Sequence, residues 1–412
     1  MKNIHISAEL ARRIVLHAQL LDGSAALPAG KEGVAQIIEQ LGYVQIDTIA
    51  VIERAHHHTL QTRAADYSAA LLHELQANDR RVFEYWGHAM SYLPMTDYRY
   101  YLPRMQQFVT SKSQGIQRRV NKCGHLLLPI LERIRQEGPV TSKDFESLPQ
   151  EKGGTWWEWK PSKIALELLL WRGEIMVTER RKFQKVYDLT ERVLPEGIDT
   201  RIPSEAEVEE FRVRRALSAY GIARAKDIYA FLQLESKDRS KRSVLTQLVD
   251  AGEVIPLTIQ DHNSAEYYTL PATLEQADQF SRQPAALHFL SPFDNLIIRR
   301  ERVQHLFGFD FALECYLPAK KRTYGYFLVP ILWGDKFVGR FDPKADRKSK
   351  TLILRNLAFE PDFHDFEAFF PIFKQKLQEF ARFNQCEAIT IEKSTPACVQ
   401  LPVSSSTVWR NT

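Results

Sequence analysis

The sequence predicts an α+β multidomain chain, with tandem helix-rich units each closed by a strand pair and then a C-terminal β-rich domain. Three observations lead there. Gly138-Pro139-Val140-Thr141-Ser142-Lys143-Asp144-Phe145 returns as Gly221-Ile222-Ala223-Arg224-Ala225-Lys226-Asp227-Ile228, an offset of 83 (227 − 144). Further on, Leu169-Leu170-Trp171-Arg172-Gly173-Glu174-Ile175 returns as Leu248-Val249-Asp250-Ala251-Gly252-Glu253-Val254, an offset of 79 (252 − 173). From about residue 285 the texture changes to longer strand-like runs. Each repeat reads as a helix, a tight turn, a second helix, a third helix closed by glycine, then a strand pair. That order is the winged helix, a helix-turn-helix variant whose usual ligand is duplex DNA.

Taken in order, Ser7 to about Leu21 is an amphipathic helix with Ser7 as its cap, and Lys31 to Leu41 is a second that stops at Gly42. Tyr43-Val44-Gln45-Ile46-Asp47-Thr48-Ile49 then turns β-rich, and helices return near 68–78 and 95–105. Residues 1–120 are read as a first, diverged unit. The second unit spans 121–200; its third helix opens at Pro161, where a missing N–H costs nothing. Strands at 174–179 and 185–189 flank Arg180-Arg181-Lys182-Phe183-Gln184, a hairpin tip whose three cations suit a wing lying against phosphates. The third unit spans 201–275, and its tip Asp261-His262-Asn263-Ser264 is not basic. Residues 285–412 form the terminal domain, with strands at 324–332, 336–342, 351–359 and 388–391, a Gly334-Asp335 hairpin turn and a long apolar-striped helix at 363–384.

Composition narrows the partner. The 412 residues are 44% hydrophobic, ordinary for a folded chain, and the formal charge of +4 is mild. Its distribution is uneven: residues 212–242 carry nine Lys/Arg against three Asp/Glu, residues 299–350 twelve against six, and residues 193–211 one Arg against six acids. Basic faces beside acidic patches suit a protein that docks DNA in one orientation. Four scattered cysteines without a C-x-x-C pair indicate neither a disulfide framework nor a zinc site. With no apolar signal core and no stretch approaching a membrane span, a cytoplasmic, nucleoid-associated protein is expected.

Gln45-Ile46-Asp47 is the sharpest chemical signal. In an extended segment residues two apart share a face, so Gln45 and Asp47 project together while Ile46 anchors the other side. An amide beside a carboxylate can hold and activate one water; a polar strand face explains the same tripeptide in most proteins. No lysine occurs between Lys31 and Lys112, which disfavours local Schiff-base chemistry. Glu84-Tyr85-Trp86-Gly87-His88 offers Trp86 and His88 for contact with a lesion or the duplex, against a core tryptophan and a satisfied histidine. Trp156-Trp157-Glu158-Trp159-Lys160 can brace a recognition helix or touch a sugar. His56-His57-His58 reads as surface histidines, with a cationic, DNA-facing turn as the alternative: three consecutive side chains do not converge easily on one ion, and no metal or cofactor is expected. The cations placed on DNA are Lys160 and Lys163 around the third helix of the second unit, Arg180, Arg181, Lys182 and Lys185 on its wing, and Lys321, Arg322 and Arg340 in the terminal domain.

Gln45-Ile46-Asp47, Glu84-Tyr85-Trp86-x-His88, Trp156-Trp157-Glu158-Trp159-Lys160-Pro161, Leu290-Ser291-Pro292-Phe293-Asp294, Lys321-Arg322-x-Tyr324-Gly325-Tyr326 and Val338-Gly339-Arg340 together resemble the motifs of bacterial crosslink-repair DNA glycosylases of the AlkZ/YcaQ type. The likeness covers nearly the whole chain in order and is closest to the YcaQ branch, which carries Gln-apolar-Asp. It implies tandem winged helices with a C-terminal β-rich domain, excision of N7-alkylated purines and unhooking of interstrand crosslinks, with Gln45 and Asp47 as the catalytic pair. The expected enzyme is monofunctional, metal-independent and monomeric on double-stranded DNA, with a shallow, open site. The rival reading is a non-catalytic winged-helix transcriptional regulator, which would normally read palindromes as a symmetric dimer.

Overall fold

The computed structural model describes residues 4–24, 26–145, 161–232, 242–260, 265–277, 286–396 and 409–410. The duplication is visible as a shared strand order. In the second unit the short strand Val140–Thr141 pairs with Gln184–Leu189, which pairs with Ile175–Arg181. In the third, Ile222–Ala223 pairs with Glu266–Thr269, which pairs with Ile255–Ile259. The first unit repeats the scheme, with Val44–Gln45 on Met90–Pro94 and that strand on Val82–Trp86. Each short strand follows a helix that ends on a glycine at positive φ: Gly42 (73°), Gly138 (90°) and Gly221 (68°). At Gly42 the requirement is also one of space, because a Cβ there would lie 2.9 Å from Arg215 Cδ and 3.2 Å from Phe231 Cζ.

The start of the chain departs from the expected partition. Ile4–Ile6 pairs in parallel with Ile255–Ile259 and so extends the third unit's sheet. The helix Ala8–Ala18, capped by Ser7 Oγ accepting from Leu10 N at 3.1 Å, buries Ile14, Val15 and Leu16 beside Ile222, Leu257 and the terminal-domain residues Leu296, Val303 and Phe309. Residues 4–18 therefore brace the third unit and the terminal domain. Helices Lys31–Leu41, Ala55–Gln61 and Ala69–Ala77 complete the first unit.

The terminal sheet runs Leu287–Phe289, Val329–Trp333, Lys336–Asp346, Thr351–Phe359, Ala388–Ile391 and Trp409–Arg410. The helix Phe366–Phe383 covers it through Phe369, Phe373, Leu377 and Phe380, an i, i+4, i+8, i+11 stripe. The strand expected from 324 begins only at Val329, for a definite reason. Backbone N–H groups of Tyr324 and Gly325 donate to the buried Glu314 carboxylate (3.0 and 3.1 Å), and those of Tyr326 and Phe327 donate to Asp342 (3.0 and 2.9 Å). Those donors are thus unavailable to a ladder. Among the described residues no helix is long and apolar enough to cross a membrane.

The units are fused by shared cores. Phe83, Tyr85 and Leu93 of the first sheet, with Met95 just beyond it, pack with Val213, Leu217, Tyr220 and Phe231 of the third unit. Ile52 and Ala55 sink into the terminal domain's core. The loop after the Gln45 strand is therefore pinned between two domains.

Candidate active site

Gln45 lies at the end of its short strand, opposite Ser91, which in turn faces Tyr85 on the next strand. The same face carries Tyr43, and Gly87 lies against it so closely that a Cβ would stand 3.2 Å from Ser91 Oγ and 3.3 Å from Tyr43 Cβ. Gln45 is only 9% exposed, and its Oε1 is buried with no hydrogen-bond partner among the described residues. A buried amide oxygen left without a donor costs about 1–3 kcal/mol, so this acceptor is held ready for a donor that the fold itself does not supply.

The ladder ends with Ile46 N donating to Met90 O at 2.8 Å. Asp47 lies beyond it, where an extended strand through Ile49 was expected. Its placement comes from an Asx turn, with Oδ1 accepting from Ile49 N at 2.7 Å. The carboxyl is half-buried, and no hydrogen bond to Oδ2 is found among the described residues. Burial raises its pKa above the ordinary carboxylate value, opposed by the Ile49 N–H and by the Arg54 charge.

His88 stacks on Tyr43, with ring centroids 6.4 Å apart and planes 22° off parallel. Burial, and then the charge of Arg299, lowers its pKa, so the imidazole is neutral at neutral pH, and its Nδ1 is buried without a partner. Trp86 packs edge-to-face on Trp171 at 6.5 Å, with its Nε1 buried and unpartnered.

One rim residue was missed by the sequence reading. Tyr316 is 70% exposed, and its phenol and the Cys315 thiol both feel the Asp47 charge. It stands on the turn Glu314–Tyr316, which is held by the Glu314 carboxylate and by Arg322 Nε donating to Leu317 O at 2.9 Å. An aromatic just ahead of Leu317-Pro318-Ala319-Lys320-Lys321-Arg322 was the available signal. Lys321 is exposed, and Arg322 is half-buried over the Tyr326 ring.

The predicted phosphate contacts divide. Arg181 is exposed and pairs with Glu179 at 2.7 Å, Lys182 is exposed at the hairpin turn, and Lys163 is exposed on the helix Pro161–Trp171. Lys160 and the tryptophans at 156, 157 and 159, like the third tip at 261–264, lie outside the described residues. Two assignments, Arg180 and Arg340, need correction, and Lys185 is half-buried. Arg180 grips the fully buried Glu84 with two bonds of 2.7 Å and a third to Phe183 O at 3.0 Å. Burial lowers the pKa of the Lys185 amine. Arg340 is 4% exposed, donating to Asp310 O and Glu360 while stacked over Phe309 and Tyr324. Arg180 and Arg340, each paired with a carboxylate inside the fold, are placed as struts and not as phosphate hooks.

The histidine triplet is also internal. His56 and His58 are 2% and 0% exposed on the helix Ala55–Gln61. His58 Nε2 meets Phe289 O at 2.9 Å, His57 Nδ1 meets Tyr67 Oη at 2.6 Å, and His56 stacks on Phe183 of the second unit's hairpin tip at 6.0 Å. The tip thus folds one side inward. The motif aspartate Asp294 is buried too, bonded twice to the equally buried Arg63. A cavity of about 560 Å³ beside Asp97, Tyr100, Phe211 and Arg215 collects none of the site's groups.

A family model described as DNA glycosylase AlkZ-like matches residues 38–383. Among solved structures, the Streptomyces sahachiroi DNA glycosylase AlkZ superposes with a TM-score of 0.64 at 14% identity, covering 95% of this chain and 100% of that one. At that identity the superposition speaks to fold.

Proposed function

The chain belongs to the family of AlkZ-like DNA glycosylases, and on that footing we propose that it hydrolyses the N-glycosidic bond of N7-alkylated purines and unhooks interstrand crosslinks, with Asp47 and Gln45 acting on one water. The observation carrying this reading is the half-buried Asp47 carboxyl, with one oxygen tied to Ile49 N and the other without a hydrogen bond among the described residues, two positions along the chain from Gln45, whose Oε1 is orphaned. The shared strand order of the three units supports the winged-helix assignment, and Gln-apolar-Asp supports the YcaQ branch. The regulator reading gives way to the family.

The chemistry is undemanding of acid. An N7-alkylated purine is cationic, so the C1′–N9 electron pair leaves with the base and neutralises it. The sugar is left oxocarbenium-like, the charge that glycosidases meet with a carboxylate. Water supplies the oxygen to C1′ and its proton goes to Asp47, while Gln45 Oε1 accepts from that water and orients it. The half-exposed Asp47 and the protruding Tyr316 fit an open site, which a base tethered to the opposite strand requires. The reaction, as proposed, is monofunctional and metal-independent, carried out by a monomer in the cytoplasm.

The test is Asp47→Asn on duplexes holding N7-methylguanine or a nitrogen-mustard crosslink, with abasic sites revealed by heat or alkali. Excision should fall by about 100- to 10,000-fold with duplex affinity unchanged. A parallel loss of binding and excision would make Asp47 structural.

A further inference from the structure

Arg54 is a charged side chain beside the site that the reaction above leaves unused. It precedes the helix Ala55–Gln61, and its guanidinium carbon lies 3.8 Å from the Phe183 ring centroid, with Arg180 at 4.4 Å from the same ring. The two cations have opposite circumstances. Arg180 is neutralised by Glu84 through two bonds of 2.7 Å. Arg54 makes no side-chain hydrogen bond or ion pair among the described residues, and its Nε is buried without an acceptor. Glu53 and Asp47 reach it only through their fields, while Arg180 and Arg347 repel it.

A half-buried guanidinium with five donors, held by a ring beside a second cation and without a carboxylate partner, has donors open to an anion. The hairpin turn keeps it there. Lys182 and Phe183 adopt positive φ (47° and 71°), which turns the Phe183 ring inward beneath Arg54 while Arg181 and Lys182 remain exposed. Arg54 lies seven residues beyond Asp47, and its charge is felt at that carboxyl.

We propose that Arg54 is a phosphate-binding residue of the active site, taking the non-bridging oxygens of the phosphodiester next to the damaged nucleotide, with Phe183 as its stacking support. A planar, forked donor set suits that bidentate contact. The location beside the lesion rests on Asp47 as the reaction centre; the phosphate contact itself does not.

The experiment uses the full chain and lesion-bearing duplexes in which single phosphates, one at a time, are replaced by neutral methylphosphonates. In the wild type, one linkage flanking the lesion should weaken binding by about tenfold, the scale of a charged hydrogen bond. That linkage should be silent in Arg54→Gln, whose log K against log salt slope flattens by about 0.9. Arg54→Lys should keep the sensitivity at the same linkage, so the assignment stays testable if the Gln variant folds poorly. A wild-type scan with no sensitive linkage near the lesion, or the same profile and slope in Arg54→Gln, would overturn the proposal. Asp47→Asn separates the two readings: it should abolish excision and leave the scan untouched. Excision surviving in that variant would sink the catalytic assignment, not the phosphate contact.

Discussion

Glu84→Gln is the most informative single perturbation of the scaffold. Glu84 is fully buried and Arg180 is 11% exposed, joined by two N···O contacts of 2.7 Å. The Gln76 amide supplies a further bond to Glu84 at 3.0 Å. Removing the carboxylate charge leaves the enclosed Arg180 cation without its counterion, although the glutamine carbonyl and Phe183 O can still accept from it. A stranded buried charge costs about 3–5 kcal/mol, against about 0–1 kcal/mol for an exposed pair. Arg180→Met alone should cost a similar amount, because it strands Glu84. Combining Glu84→Leu with Arg180→Met should recover most of that loss, since both charges then leave together. Urea melts followed by tryptophan fluorescence read this, with Trp86 and Trp171 close to the joint. Acid should erase the difference. Burial works to raise the Glu84 carboxyl, but the Arg180 charge and hydrogen bonds outweigh it and hold the group below its ordinary value of 4.5. Its contribution is present above about pH 4.5 and lost as pH falls through the depressed folded value. Single variants within about 1 kcal/mol of wild type, or a double variant as unstable as the two losses added, would refute the strut. So would a salt slope in Arg180→Met flatter by about 0.9, which would restore Arg180 as a phosphate contact.

Three further outcomes follow from the burial of charged and titratable groups. Replacing both Arg181 and Lys182 by Glu should weaken duplex binding and flatten its salt slope, by up to about 1.8 if each touches a phosphate; Arg340→Met should lower stability and leave the slope alone. Acidification should destabilise the fold between about pH 6.5 and 4: burial holds His57, His58 and His288 at about 4, so the unfolded chain takes up protons first as pH falls. His58, fully enclosed, accounts for about 3 kcal/mol of that loss. An unfolding midpoint flat across this range, or an acid dependence unchanged in His58→Asn, would contradict it.

The parts of the protein legible in the chain are those set by local rules. The glycine-closed helices, the 138–145 and 221–228 repeat, the hairpins and the striped terminal helix all follow from backbone conformation and periodicity, which neighbours in sequence decide. Gln45 was legible for the same reason, as the tail of the short strand that follows each closing glycine. The placement of Asp47 was not legible in the same way. Pleat alternation aimed it, whereas an Asx turn holds it.

Charge was where local reading failed. Arg180, Arg181 and Lys182 are consecutive, yet one is buried on Glu84, nearly a hundred residues upstream, while its two neighbours are exposed. The three adjacent histidines divide among Phe183, Tyr67 and Phe289, partners in different parts of the fold. Sequence by itself determined the elements, their repetition and the residue types available for chemistry. Only the tertiary structure decided which cations are neutralised and which stay exposed. The physical reason is that conformation depends on adjacent residues, whereas the cost of an ion depends on desolvation and on partners that folding brings from a distance.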